Sequence, residues 1–155
     1  MTKVLTKQSI DIEAPINQVF EFISNMENFQ RWFPEVTKII SNNELHHGSV
    51  GKTYLEHVIL PPNGLQKLKI EVKKVEIPTL FVTESEYSPL LPRMTIKLNS
   101  IDNKNTYLEW MMESRNTEEY FIKNLLPNFK MLINDRAISG LKNLKNLFKE
   151  VKSTH

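Results

Sequence analysis

From residue 116 to residue 151, apolar side chains recur at steps of three and four: Phe121, Ile122, Leu125, Leu126, Phe129, Leu132, Ile133, Ala137, Leu141, Leu144, Leu147 and Phe148. That spacing gathers them on one face of an α-helix. A helix of such length needs an extended apolar surface opposite its stripe, so the remainder of the chain must supply one. Asn116 or Thr117 is the predicted N-cap, with Glu119 in a capping-box position, and Lys142, Lys145, Lys149 and Lys152 suit the carbonyl end of the dipole. Pro127 cannot donate to the Lys123 carbonyl and its ring crowds that turn, which predicts a kink or a restart near Leu126. Arg136 falls in the apolar stripe, level with Phe129 and Leu147, where a packed core does not hold a guanidinium without a partner.

The chain before this helix reads mainly as strands. Residues 4–13 form a first strand, ended by Ala14 and Pro15. Pro15 opens a short helix over residues 15–24, whose buried face is Val19, Phe20, Phe22 and Ile23, and a second short helix over 27–33 stops at Pro34. Strands follow over 36–45, 51–60, 65–77, 81–87, 94–101 and 106–115, separated by turn-forming clusters such as Pro61, Pro62, Asn63 and Gly64. The short connections imply an antiparallel meander. Segregated strands and helices define the α+β class: a strongly curved sheet of about seven strands around the long C-terminal helix, with two short helices between the first two strands.

The 155 residues suit one domain over residues 1–151, with a frayed tail over 152–155. A formal charge of +2, from 20 basic and 18 acidic residues, gives no electrostatic ground for nucleic-acid binding. The lack of cysteine excludes disulfides, thiolate metal sites and a cysteine nucleophile. Lys3, Lys7 and Asp11 interrupt any signal-peptide core, and no apolar run approaches the ~20 residues of a membrane helix. A soluble cytoplasmic protein without integral membrane association is the expectation.

Two stretches carry a resemblance. Residues 9–24, SIDIEAPINQVFEFIS, and residues 32–36, WFPEV, resemble the opening of the SRPBCC superfamily, the START-like or birch-pollen-allergen-like helix-grip domains, near the polyketide cyclase/dehydrase branch. The glycine-bounded stretch 48–51 and the terminal helix continue the similarity. The shared residues are architectural: Pro15 starts a helix, Val19 and Phe20 pack under the sheet, and Trp32 plugs the helix-to-strand corner. The resemblance implies a cavity between sheet and helix. Members of the superfamily carry lipids, sterols, hormones, quinones or polyketides, some catalyse cyclisation, and others are partner-binding regulators. Fold alone does not choose among these.

Meander topology places the turns at 61–64 and 88–93 and the helix start at one end, which is the expected mouth of the cavity. Leu90 and Leu91 stand there on a loop facing Phe121 and Leu125 on the first turns of the helix, either as a ligand gate, as a lid on the core, or as an exposed partner-binding pair. Alternation turns Leu108, Trp110, Met112 and Ser114 inward on the last strand, and Met94, Ile96 and Leu98 on the one before. Tyr54, Val58, Ile70, Phe81 and Tyr87 are further inward candidates, and Phe129, Leu132 and Arg136 complete the expected ligand wall from the helix. Such stripes also suit an ordinary filled core.

Arg136 is suited to a carboxylate, a phosphate or a polyketide oxygen, or else to an inward acid such as Glu56 or Glu84. No catalytic residue is marked by a motif; His57, Tyr87 and Arg136 are the candidates should they converge in one pocket. His46 and His47, adjacent on a turn, lack metal-site spacing and read as exposed turn residues. No glycine-rich phosphate loop and no nucleophile elbow is present, since the 48–51 stretch precedes a strand. The expectation is a protein that binds or transports a hydrophobic small molecule, without cofactor or metal. A cyclase or dehydratase and a partner-binding module are the alternatives.

Overall fold

A computed structural model of the chain describes residues 1–153, with side chains as far as Glu150. In order, the elements are β1 (Lys3–Ile12), α1 (Ile16–Ile23), a 3-10 helix (Met26–Arg31), β2 (Val36–Ser41), β3 (Thr53–Leu60), β4 (Gly64–Glu76), β5 (Leu80–Ser85), β6 (Pro92–Asp102), β7 (Asn105–Ser114), α2 (Glu119–Asn124) and α3 (Leu126–Ser153). The seven strands make one antiparallel sheet in the order β1-β7-β6-β5-β4-β3-β2. Register shifts at Val4/Thr6, Val36/Lys38, Val72/Lys74 and Ser100/Asp102 interrupt the ladders, and such bulges bend and twist the strands that carry them. The sheet is therefore α+β and open, as the segregated pattern required. The expected tail from Lys152 overlaps α3 as far as Ser153, and its last two residues lie outside the described residues.

The local chemistry of Pro15 starts α1, but the helix begins at Ile16, one position later than expected. Pro15 is the N-cap, and its carbonyl accepts from the Gln18 and Val19 amides at 3.0 and 3.1 Å. Val19, Phe20 and Ile23 are buried, while Phe22 packs edge-on against Phe148 of α3 at 5.4 Å. The second short helix is a 3-10 turn capped by the Asn25 side chain, which accepts from the Glu27 amide. It delivers Phe29, Trp32 and Phe33 as an aromatic wedge in the corner before β2.

The long periodic segment is two helices. The Leu125 N–H still donates to Phe121 at 2.9 Å, but Leu125 is distorted from ideal helical φ, at −112°, and Pro127 supplies no N–H to continue the ladder. Pro127 then sits in the first turn of α3, where its missing donor is harmless. The predicted N-cap is corrected too. The first helix begins at Glu119, because Asn116 is engaged elsewhere: its Oδ1 accepts from the Glu118 amide at 2.9 Å and its Nδ2 donates to the Pro89 carbonyl at 2.8 Å. Asn134 ties α3 to the sheet edge by accepting from Thr6 and Gln8 of β1. Gly140 lets α3 come close to the aromatic corner, within ordinary reach of the Trp32 carbonyl. Among the described residues no helix is long and apolar enough to cross a membrane.

Candidate functional site

The inner face of β3 (Thr53–Leu60) is the natural starting point, since its alternation is regular from Tyr54 onward. Tyr54, Glu56, Val58 and Leu60 are buried toward α3, while Leu55, His57 and Ile59 point away. A carboxylate thus stands on the apolar side of a strand. Val58 and Leu60, Leu68 and Ile70 of β4, Met94 of β6 and Met112 of β7 enclose a cavity of about 70 Å³ together with Phe29 and Phe33. Polar groups enter it at Glu56, Thr83, Ser85, Tyr87 and Arg136.

Glu56 and Arg136 are the charged pair of that space. Glu56 is 8% exposed and Arg136 9% exposed, yet neither side chain makes a hydrogen bond or a close ion pair with another described residue. Burial pushes the Glu56 carboxyl from 4.5 up to about 7, and the charge of Arg136 opposes the rise. Burial also lowers the Arg136 guanidinium, against the attraction of Glu35 and then of Glu56. The two groups therefore feel each other across the cavity without touching. Glu84, the other acid considered for Arg136, is on the opposite face of the sheet, bound to Arg93 at 2.9 Å and to Arg115 at 3.3 Å.

A second, larger groove of about 670 Å³ adjoins the first. Pro61, Pro62 and Asn63 from the β3–β4 turn, Ser88 and Pro89 from the β5–β6 loop, and Leu125, Phe129 and Leu132 from the helices line it. These are the turns that a meander brings to one end. Tyr87 borders both spaces and meets Phe129 edge-on, with ring centroids 6.3 Å apart. Burial raises the Tyr87 hydroxyl.

Of the residues expected in the ligand wall, Val58, Ile70, Tyr87, Leu90, Met94, Met112 and Arg136 border the inner cavity. Leu125, Phe129 and Leu132 border the groove. Tyr54, Phe81, Ile96, Trp110 and Phe121 are buried but border neither space. Trp110 shows why: Phe33 stacks on it at 5.2 Å and itself forms the cavity surface. Leu90 is 2% exposed, and Leu91, at φ 48°, is half-buried with its N–H donating to Tyr87 and its carbonyl accepting from Arg115. The two leucines do not form an exposed pair. His57 is also corrected: it points away from the cavity, so His57, Tyr87 and Arg136 do not converge. Glu56 occupies the inward position instead.

His47 differs from the expected free turn histidine. Its Nδ1 is 2.6 Å from the Tyr54 hydroxyl, its Nε2 is 3.5 Å from Glu27, and its ring stacks on the Tyr54 ring. Burial, reinforced by Glu27 and opposed by the Met26 amide, pushes the Tyr54 hydroxyl up to about 12. Among the described residues no group of three or more histidine and carboxylate side chains is placed to hold a metal ion.

Residues 3–120 match the family described as polyketide cyclase / dehydrase and lipid transport. No curated protein matches the chain by sequence. Solved structures similar to it include a START superfamily protein from Mycobacterium smegmatis, at 11% identity and TM-score 0.75, covering 94% of this chain and 97% of that one. The Zhui aromatase/cyclase from Streptomyces sp. R1128 is similar at 12% identity and TM-score 0.72, covering 96% and 94%. Norcoclaurine synthase from Thalictrum flavum is similar at 16% identity and TM-score 0.71, covering 98% and 97%. At these identities the likeness is one of fold, and it extends through α3, beyond the residues matched to the family.

Proposed function

We propose, on the premise that this chain belongs to the polyketide cyclase / dehydrase and lipid transport family, that it binds and carries a hydrophobic small molecule between the sheet and α3. The observation that supports this reading is the succession of two spaces walled mainly by apolar side chains, an inner cavity and an outer groove with Tyr87 on the border of both. Concave apolar sites with a few convergent polar groups are the usual form of small-molecule pockets. Native mass spectrometry after gentle purification should show a retained lipid-like adduct, and an apolar dye should bind and be displaced by lipids or aromatic polyketides at nanomolar to micromolar affinity. Failure to bind any member of a broad lipid and aromatic panel would overturn the reading.

A second reading, a cyclase or dehydratase, draws on one specific observation. Glu56 is a buried carboxyl whose proton affinity is near neutrality, facing a guanidinium in the same cavity. Such a group can give and take a proton at physiological pH while the cation steadies a developing enolate oxygen. Glu56→Gln should then abolish turnover of a poly-β-ketone substrate while leaving its binding intact. Equal turnover by the variant would remove this reading.

A further inference from the structure

We propose that the inner cavity is the head-group subsite for a monocarboxylate amphiphile, held between Arg136 and Glu56 with its tail running past Tyr87 into the outer groove. This deepens the carrier reading above and rests on it. Two charged side chains, each more than nine-tenths buried and without a hydrogen-bonding or ion-pair partner among the described residues, face one small space. Burying such groups costs several kcal/mol unless something satisfies them. A buried ion pair between them would be the simplest solution, and the structure does not make it.

The dimensions select a small head and a long tail. The inner cavity, about 70 Å³, is roughly one tenth of the 670 Å³ groove that adjoins it. The charge pattern selects the head. Arg136 offers the planar fork that matches a carboxylate with two parallel hydrogen bonds. Protonated Glu56 adds an O–H donor to the same head, and the hydroxyls of Thr83 and Ser85 line the same wall. A neutral alcohol leaves the guanidinium without an anion. A cationic head is repelled by it. A dianionic phosphate forces a second negative charge toward Glu56.

The remaining wall is apolar at Leu68, Ile70 and Met94, so carbon directly behind the carboxylate meets carbon. The charged or titratable groups on the wall are Glu56 from β3, Tyr87 from the loop after β5 and Arg136 from α3; β4, β6, β7 and the 3-10 helix contribute none. Glu35 acts on Arg136 from outside the cavity. Carboxylate binding should therefore weaken as the solution is made alkaline enough to ionise Glu56, whose charge would then oppose the ligand's.

Calorimetric titration of the full chain with decanoate, decanol and decyltrimethylammonium, each below its micelle concentration, tests this at about pH 6 and about pH 8.5. Decanoate should bind at least ~10-fold more tightly than decanol at the lower pH and lose most of that advantage at the higher. Arg136→Gln should bring acid and alcohol to equal affinity. Glu56→Gln should keep the preference for the acid and flatten its pH dependence. The comparison of the three probes on the parent chain needs no variant, so a poorly folding variant does not block the result. Equal binding of decanoate and decanol would overturn the carboxylate subsite and leave the carrier reading standing. Binding of none of the three, and of no apolar dye, would overturn both.

Discussion

The Tyr54 hydroxyl and His47 Nδ1 lie 2.6 Å apart, so a fully buried phenol on the inner face of β3 is satisfied by an imidazole from the β2–β3 loop. With the phenol protonated and the Met26 amide acting on its oxygen, its O–H is directed at Nδ1 and leaves Nε2–H toward Glu27. The Glu27 carboxylate in turn accepts from the Ser41 amide at 3.0 Å. A surface loop, a 3-10 turn and two strands are thereby joined through one side-chain chain. His47→Ala should cost about 1–3 kcal/mol by stranding the phenol. Tyr54→Phe should cost less in the His47→Ala background than in the parent, with a coupling of about 0.5–3 kcal/mol in urea unfolding. Strictly additive losses would show that the contact carries no stability.

Most of the architecture was legible because it rests on local chemistry. Proline positions, turn clusters and helical periodicity each act within a few residues, and they located all seven strands and the restart before Pro127. What failed depended on partners distant in sequence. Asn116 looks like an N-cap until its amide is required by Pro89, and although Tyr54 reads as inward, nothing in the β2–β3 loop shows that His47 folds back to meet its hydroxyl. The site lay between these cases. Alternation sets Tyr54 and Val58 inward, and the same parity places Glu56 inside and His57 outside, so the acid that borders the cavity is recoverable from alternation alone. Trp110, Ile96 and Phe81 were rightly inward, but whether an inward side chain meets a cavity depends on what covers it. Phe33 covers Trp110 from a segment that no strand pattern relates to β7.

Gly140 is where α3 touches that covering segment. A Cβ there would come within 3.1 Å of the Phe33 ring and 3.4 Å of the Trp32 carbonyl oxygen. Phe33 is held by its stacking on Phe29 at 4.7 Å and on Trp110 at 5.2 Å, so any shift of its ring disturbs both contacts. Gly140→Ala gains about 1 kcal/mol of helix propensity but meets overpacking of about 1–3 kcal/mol. The expected outcome is a lower melting temperature together with weaker binding of an apolar dye, because Phe33 forms part of the cavity wall. A raised melting temperature would show that the helix shifts freely.

On the outer face of the sheet, His57 of β3 stands opposite Lys38 of β2 on one side and Lys67 of β4 on the other, which sets the two lysines on one face two strands apart. Like charges about 10 Å apart across an intervening strand repel by a few tenths of a kcal/mol at low salt. Lys67→Glu should therefore raise the urea midpoint at low salt, by an amount equivalent to about 0.2–1 kcal/mol, with the gain shrinking in high salt. No gain at low ionic strength would mean the lysines already splay apart in solution.

The unpaired acid in the cavity should also be visible in the stability of the ligand-free protein. Glu56 holds its proton up to about pH 7 when folded, against an ordinary value of 4.5. Between those values the folded chain retains a proton that the unfolded chain has released, so stability falls as pH rises through the window. Above it the loss is complete, on the order of a few kcal/mol, moderated by Arg136. Glu56→Gln presents an uncharged side chain of similar shape at every pH. Urea midpoints measured from about pH 4 to about pH 8.5 should fall more steeply for the parent than for the variant, with the two alike at the acid end and the variant more stable at the alkaline end. Parallel profiles would show that the Glu56 carboxylate is already paired in solution, and the cavity would then contain no free acid for a ligand to meet.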